Sequence, residues 1–265
     1  MIGTISNYKG GTGKTITAVN LSAALTTFFK KKILVVDMDP QSDSTRALLP
    51  FDAPEVDECM YDLLDPNFED DINIEDYIYP TIHKNLFIIP NITESSGLEI
   101  PLSIKFPDSN LYLRRRIYEY AKANFDYTLI DCPPTLSIFV ANALYASDFV
   151  LIPMLAGSGN SIEGIKGVIE LMESVIEDGN SNLRFLKILI NKIDRRKTSH
   201  KSNILVAEKR YGKEHIFRTS IPTSGDFEVM EALKGCTIFS KRRNSKGAKS
   251  FIEIAKEFIG FFEDN

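Results

Sequence analysis

Seven residues near the start of the chain, Lys9-Gly10-Gly11-Thr12-Gly13-Lys14-Thr15, have the types and spacing of a phosphate cradle. Glycines let a tight turn aim successive backbone N–H groups at an anion, at the N-terminus of the helix that follows. Lys14 is placed to reach β- and γ-phosphates, the Thr15 hydroxyl to ligate Mg²⁺, and Ile16 to complete the nucleotide-binding stretch. The general pattern is G-x-x-x-x-G-K-[ST]. Here Tyr8 stands at its first glycine, and the loop carries an extra lysine, Lys9.

Such a loop works only between a buried strand and a helix. Ile2-Gly3-Thr4-Ile5-Ser6 reads as the strand and Ile16 through Phe29 as the helix. A second apolar strand, Ile33–Val36, ends at Asp37-Met38-Asp39-Pro40-Gln41, and a third, Tyr127–Ile130, ends at Asp131-Cys132-Pro133-Pro134. Carboxylates at strand ends beside a phosphate loop are where metal and attacking water are positioned. Asp131 is expected to hold Mg²⁺ through its water shell, and Asp37 to support either the metal shell or the loop geometry. Further strands are predicted at Leu86–Ile89, Phe149–Ile152 and Leu186–Ile190. Amphipathic helices are predicted at Leu111–Ala123, Ser161–Ile176, Ser202–Tyr211 and Ser250–Phe262. Apolar runs alternating with helical patterns specify an α/β fold, a doubly wound, mostly parallel sheet flanked by helices. With 265 residues, 43% of them hydrophobic, the expectation is one domain over 1–265. The acidic stretch Glu69-Asp70-Asp71 reads as a solvated loop or helix edge.

The three motifs K-G-G-T-G-K-T, D-M-D-P-Q and L-I-D-C-P-P together resemble the ParA/MinD group of deviant Walker P-loop ATPases. The stretch from Asp37 to Thr45, D-x-D-P-Q-x-x-x-T, is closer to the ParA branch, and the resemblance covers essentially the whole chain. One departure is Ile16, where the family usually has a second threonine. The resemblance implies an ATPase with ATP and Mg²⁺ as cofactors, working as an ATP-dependent sandwich homodimer. Lys9 would be the signature lysine that crosses to the partner's phosphates, and Lys14 would neutralise the γ-phosphate. Asp39, second aspartate of the D-x-D motif, would orient the attacking water.

Base identity is less clear-cut. Asn191-Lys192-Ile193-Asp194 spells N-K-x-D, a guanine-reading pattern, while members of the resembling family also place an asparagine at this strand end, against adenine. GTPases prefer a glycine amide after the second aspartate motif; Pro133 and Pro134 have no amide N–H to offer, which favours ATP. Pro222, in Ile221-Pro222-Thr223-Ser224, resembles the family's loop against the base.

The net charge of −5 conceals a basic C-terminal third: Arg195 and Arg196, then Lys241, Arg242, Arg243, Lys246 and Lys249. These are the candidate contacts to DNA phosphates, as the resemblance implies for non-specific DNA binding, alongside a ParB-like or adaptor protein that stimulates hydrolysis. The cargo implied is a plasmid or chromosome, with a protein compartment as the alternative. The first strand begins at the start of the sequence, so no N-terminal helix-turn-helix is expected. A MinD-like membrane switch is the rival reading. Against it, the last helix has mixed polar residues and ends Glu263-Asp264-Asn265, which an anionic bilayer would repel. A metabolic ligase would share the phosphate loop but lack D-x-D-P-Q, and a binding protein with negligible turnover is a further alternative. Three scattered cysteines, Cys59, Cys132 and Cys236, no signal peptide and no spanning run suggest a cytoplasmic protein, nucleoid-associated with ATP, without stable membrane association. His83, His200 and His215 lack metal-ligand spacing.

Overall fold

The computed structural model describes residues 1–53, 55–67, 72–231 and 233–263; the acidic stretch Glu69-Asp70-Asp71 and the terminal Asp264-Asn265 lie outside them. Along the described chain run β1 (Ile2–Ile5), α1 (Lys14–Phe29), β2 (Ile33–Asp37), α2 (Asp43–Leu48), α3 (Met60–Leu64), β3 (Tyr79–Pro80), β4 (Leu86–Ile89), α4 (Glu99–Ile104) and α5 (Tyr112–Asn124). Then follow β5 (Tyr127–Asp131), α6 (Ile138–Tyr145), β6 (Phe149–Leu155), α7 (Asn160–Asp178), β7 (Arg184–Asn191), α8 (Thr198–Tyr211), α9 (Gly225–Glu231), α10 (Ile238–Lys241) and α11 (Lys246–Glu263).

Every strand predicted from apolar runs is present, and the seven described strands form one sheet in the order β3-β4-β2-β5-β1-β6-β7. All pairings are parallel except the two-residue edge strand β3, which runs antiparallel to β4. β3 escapes the sequence pattern because two residues show no periodicity, and its Pro80 is confined to an edge. The central strands are apolar throughout because both faces are covered. Alternation sorts them: Leu34, Val36, Ile130 and Val150 pack on one side with α3, α5, α6 and α7, while Ile33, Val35, Leu129 and Leu151 pack on the other with α1 and α11.

The last helix is a core element. Phe251, Ile254, Ala255 and Phe258 of α11 are fully buried. The Phe258 ring meets those of Tyr127, Phe149 and Phe262 at centroid distances of 5.0, 5.6 and 5.2 Å. Its apolar face is thus occupied by the sheet and α1. Among the described residues no helix is long and apolar enough to cross a membrane. The parallel arrangement brings the carboxyl ends of β1, β2, β5 and β7 to one edge, where a doubly wound sheet binds ligands.

Phe258→Ala is expected to cost about 3–5 kcal/mol, as for other buried aromatic truncations. Urea unfolding measures it. A loss under about 1 kcal/mol would mean that α11 is not seated as described.

Candidate active site

The loop from β1 to α1 is fixed at both ends by asparagines. Asn7 Nδ2 donates to the Pro153 carbonyl (2.7 Å), and its Oδ1 accepts from Lys9 N (2.9 Å). Gly13 adopts φ +87°, and a Cβ there would fall 2.6 Å from Asn191 Nδ2. That amide donates to the Thr12 carbonyl at 2.8 Å and lies 3.3 Å from Thr17 Oγ1. Glycine at position 13 thus answers both a left-handed turn and a close approach.

A cleft of about 510 Å³ opens above the loop. Gly10, Gly11, Gly13, Lys14, Thr15 and Ile16 line it on one side; Asp39, Gln41, Asp43 and Arg46 come from β2's extension and α2, and Pro134 follows β5. Phe227 and Met230 of α9 and Lys192 complete it. Lys14 is buried; its Nζ donates to the Lys9 carbonyl (3.3 Å), and burial lowers its pKa while Asp131 opposes that shift. Asp39 is half-buried, its carboxyl raised by burial, with Oδ1 accepting from Gln41 N. Thr12, expected among the phosphate-binding residues, is buried beneath the loop, its hydroxyl donating to the Lys9 carbonyl at 3.3 Å.

Asp37 and Asp131 end neighbouring strands in register and are both fully buried. Asp37 Oδ1 accepts from Asp39 N at 3.1 Å, and Oδ2 from Thr45 N and Thr45 Oγ1 at 2.8 and 2.7 Å. These bonds fit the loop-geometry role expected of Asp37, and Oδ1, with a single donor, keeps acceptor capacity toward the metal shell. Asp131 Oδ2 accepts from Ser44 Oγ (2.7 Å), whereas Oδ1 is buried without a partner. The Thr15 hydroxyl faces this carboxylate. An orphaned carboxylate oxygen beside a hydroxyl is a hard-oxygen donor pair that fits Mg²⁺. Cys132 is fully buried, which pushes its thiol well up and leaves it inert.

Sequence reasoning placed Asn191 and Pro222 against the base; neither lines the cleft. The Asn191 amide nitrogen bonds the phosphate loop, while its Oδ1 is buried without a partner. Pro222 pairs with Ile193 and lines a separate hollow. Both oxygens of Asp194 are engaged by the Arg196 guanidinium at 3.0 Å, and the Asp194 carboxyl is held down at about 2. Ser44, Gln41, Arg46, Phe227 and Met230 were not anticipated; α2 and α9 are too short to show a helical period, although Thr45 was within the D-x-D-P-Q-x-x-x-T stretch.

Lys9 does not line this cleft. Its ammonium lies 4.5 Å from the Tyr8 ring centroid, and a Cβ on Gly164 of α7 would come within 3.0 Å of Lys9 Cγ.

The AAA domain family profile matches residues 1–185. The chain is 34% identical over 255 residues, 96% of each chain, to the sporulation initiation inhibitor protein Soj of Bacillus subtilis. It belongs to the ParA-like partition ATPases of the ParA/MinD group. It is also 32% identical over 254 residues to the chromosome-partitioning ATPase Soj of Treponema pallidum, covering 96% of this chain and 94% of that one. The septum site-determining protein MinD from Pyrococcus horikoshii, solved with Mg-ADP, shares the fold with a TM-score of 0.77 at 22% identity, over 99% of this chain and 97% of that one. The protein is an ATPase whose cofactors are ATP and Mg²⁺. Thr15 and Asp131 are the residues that would hold the metal. When bound, the ion supplies charge neutralisation to the β- and γ-phosphates.

Burial raises the Asp131 carboxyl to about 7. Between about pH 4 and that value the folded chain keeps a proton that the unfolded chain has released. Stability of the nucleotide-free ATPase therefore falls as pH rises through this window. Asp131→Asn is expected to raise its melting temperature by a few degrees at pH 8 and to abolish the further rise caused by Mg-ATP. A lower melting temperature without nucleotide would contradict the assignment of buried, uncompensated charge.

Proposed function

We propose that this ATPase forms an ATP-dependent sandwich dimer, binds DNA without sequence preference in that state, and positions a plasmid or chromosome through partner-stimulated hydrolysis. The observation that carries the DNA reading is a basic hollow. Arg195 and Arg196, from the loop after β7, meet Lys246 and Lys249 of α11, together with Ser220, Thr223 and Ser250. Two runs some fifty residues apart in the sequence thus converge on one exposed surface, where hydroxyls and cations suit a phosphate backbone. Arg196 is partly neutralised by Asp194, which leaves Arg195, Lys246 and Lys249 as the main phosphate contacts. Lys241, Arg242 and Arg243 stand outside this hollow. Arg242 pairs with Asp226 at 3.3 Å, and Arg243 stacks 5.2 Å from the Phe28 centroid.

The dimer reading rests on Lys9. A lysine that does not line its own cleft is available to a second copy's phosphates, which would explain the extra lysine in the loop. Asp39, at the cleft wall with its carboxyl raised by burial, is the residue we assign to the attacking water. Lys14 contributes charge to the γ-phosphate. The relatives named for chromosome partitioning favour a DNA cargo, and a ParB-like or adaptor protein would be the activator. A membrane-switch reading would need the apolar face of α11, which the core already occupies.

Binding to random-sequence duplex DNA, measured against salt with ATP and with ADP, tests this. Tight binding with ATP alone is expected. Replacing Arg195, Lys246 and Lys249 together by alanine should weaken it on every sequence and lower the log–log salt slope by about three. Absence of DNA binding in both nucleotide states would sink the reading. Asp39→Ala should lose turnover yet keep ATP-dependent DNA binding; normal turnover would show that another group positions the water.

A further inference from the structure

Besides Lys192, two charged residues line the nucleotide cleft without a part in the site described above: Asp43 and Arg46, the first and fourth residues of α2. They form an ion pair, Arg46 Nη2 to Asp43 Oδ1 at 2.5 Å, with side chains 50% and 46% exposed. Their stem is fixed. Arg46 N donates to the Ser42 carbonyl, and the Arg46 and Ala47 carbonyls accept from Gly235 N and Cys236 N, all at 2.9 Å. The guanidinium therefore swings from an anchored backbone at the cleft wall.

Charge distribution gives it a task. The β2–α2 wall presents two carboxylates, Asp39 and Asp43, to any polyphosphate that enters. Lys14 belongs to the loop on the other side, Lys192 follows β7, and Lys9 does not line the cleft. Without a cation on the α2 wall, both carboxylates would repel the ligand. A half-exposed i,i+3 pair is weak and readily exchanged. A guanidinium gains charge-assisted, bidentate bonds on moving from one carboxylate oxygen to phosphate oxygens.

We infer that Arg46 is a phosphate-contacting cation of the chain's own cleft, held by Asp43 until a nucleotide displaces it onto the polyphosphate. Asp43 then acts as its parking group and sets part of the affinity for ATP. The site thus receives an arginine in cis, in addition to any lysine from a second copy.

Equilibrium binding of Mg-ATP, Mg-ADP and adenosine to the full chain tests this. Arg46→Ala should weaken ATP and ADP about tenfold, the loss of one charge-assisted contact, and leave adenosine unchanged. Asp43→Asn, which breaks the same ion pair, should instead tighten both nucleotides a few-fold. Arg46→Lys should recover only part of the loss, because a point charge cannot reproduce the planar fork. If the pair merely braced α2, both Arg46→Ala and Asp43→Asn would shift affinity in the same direction, and adenosine with it. That result, unaltered ATP binding in Arg46→Ala, or wild-type affinity in Arg46→Lys would each overturn the contact.

Discussion

Two carboxylates buried side by side set the terms for everything around them. Asp37 and Asp131 face each other in register on β2 and β5, out of reach of water, and burial raises both pKa values. Like charges in a dry interior are tolerated only with donors or a cation at hand. Donors come from α2, whose Ser44 and Thr45 hydroxyls each bond one of the pair. Thr45 Oγ1 accepts in turn from Asn91 N, so the strand ends, α2 and the segment after β4 are tied to one charge centre. The remaining deficit is Asp131 Oδ1, buried without a hydrogen-bond partner, where with Thr15 the carboxylate would hold the Mg²⁺ of a bound nucleotide.

Positive charge is distributed with equal economy. Within the cleft the chain offers Lys14, with Lys192 and Arg46 at its walls. The loop and the basic hollow share one strap. Asn191 bonds the Thr12 carbonyl, and the next residue, Lys192, accepts through its carbonyl from Thr223 Oγ1 at 2.9 Å. Thr223 lines the hollow with Arg195 and Lys249. Two hydrogen bonds, joined by the Asn191–Lys192 peptide, thus connect the phosphate loop to the hollow proposed for DNA.

Most of the sheet and the phosphate loop could be read from the sequence, because buried parallel strands are continuous apolar runs and a glycine-lysine loop has a narrow set of uses. Asp131 and Thr15 stood out by position alone. The chemistry of α2 did not: six residues carry no period, and only the fold brings Ser44 and Thr45 beneath two strand ends. Asn191 shows the limit of motif reading. It stands at the end of β7 as the motif implies, and the fold adds what the motif did not show, a bond from its amide to the loop backbone. The basic residues of the C-terminal third looked like one cluster; folding divides them, and the Arg243 guanidinium lies over Phe28.

The central proposal is that the chain's own cleft is completed by Lys9 of a second copy. The most direct test mixes two variants that are each expected to be inactive alone, Lys9→Ala and Asp39→Ala, and measures ATP turnover. In a mixed dimer, the site that retains Asp39 receives Lys9 from the other subunit, so the account predicts that turnover reappears on mixing. A mixture as inactive as its separate components would place Lys9 in cis and contradict the account.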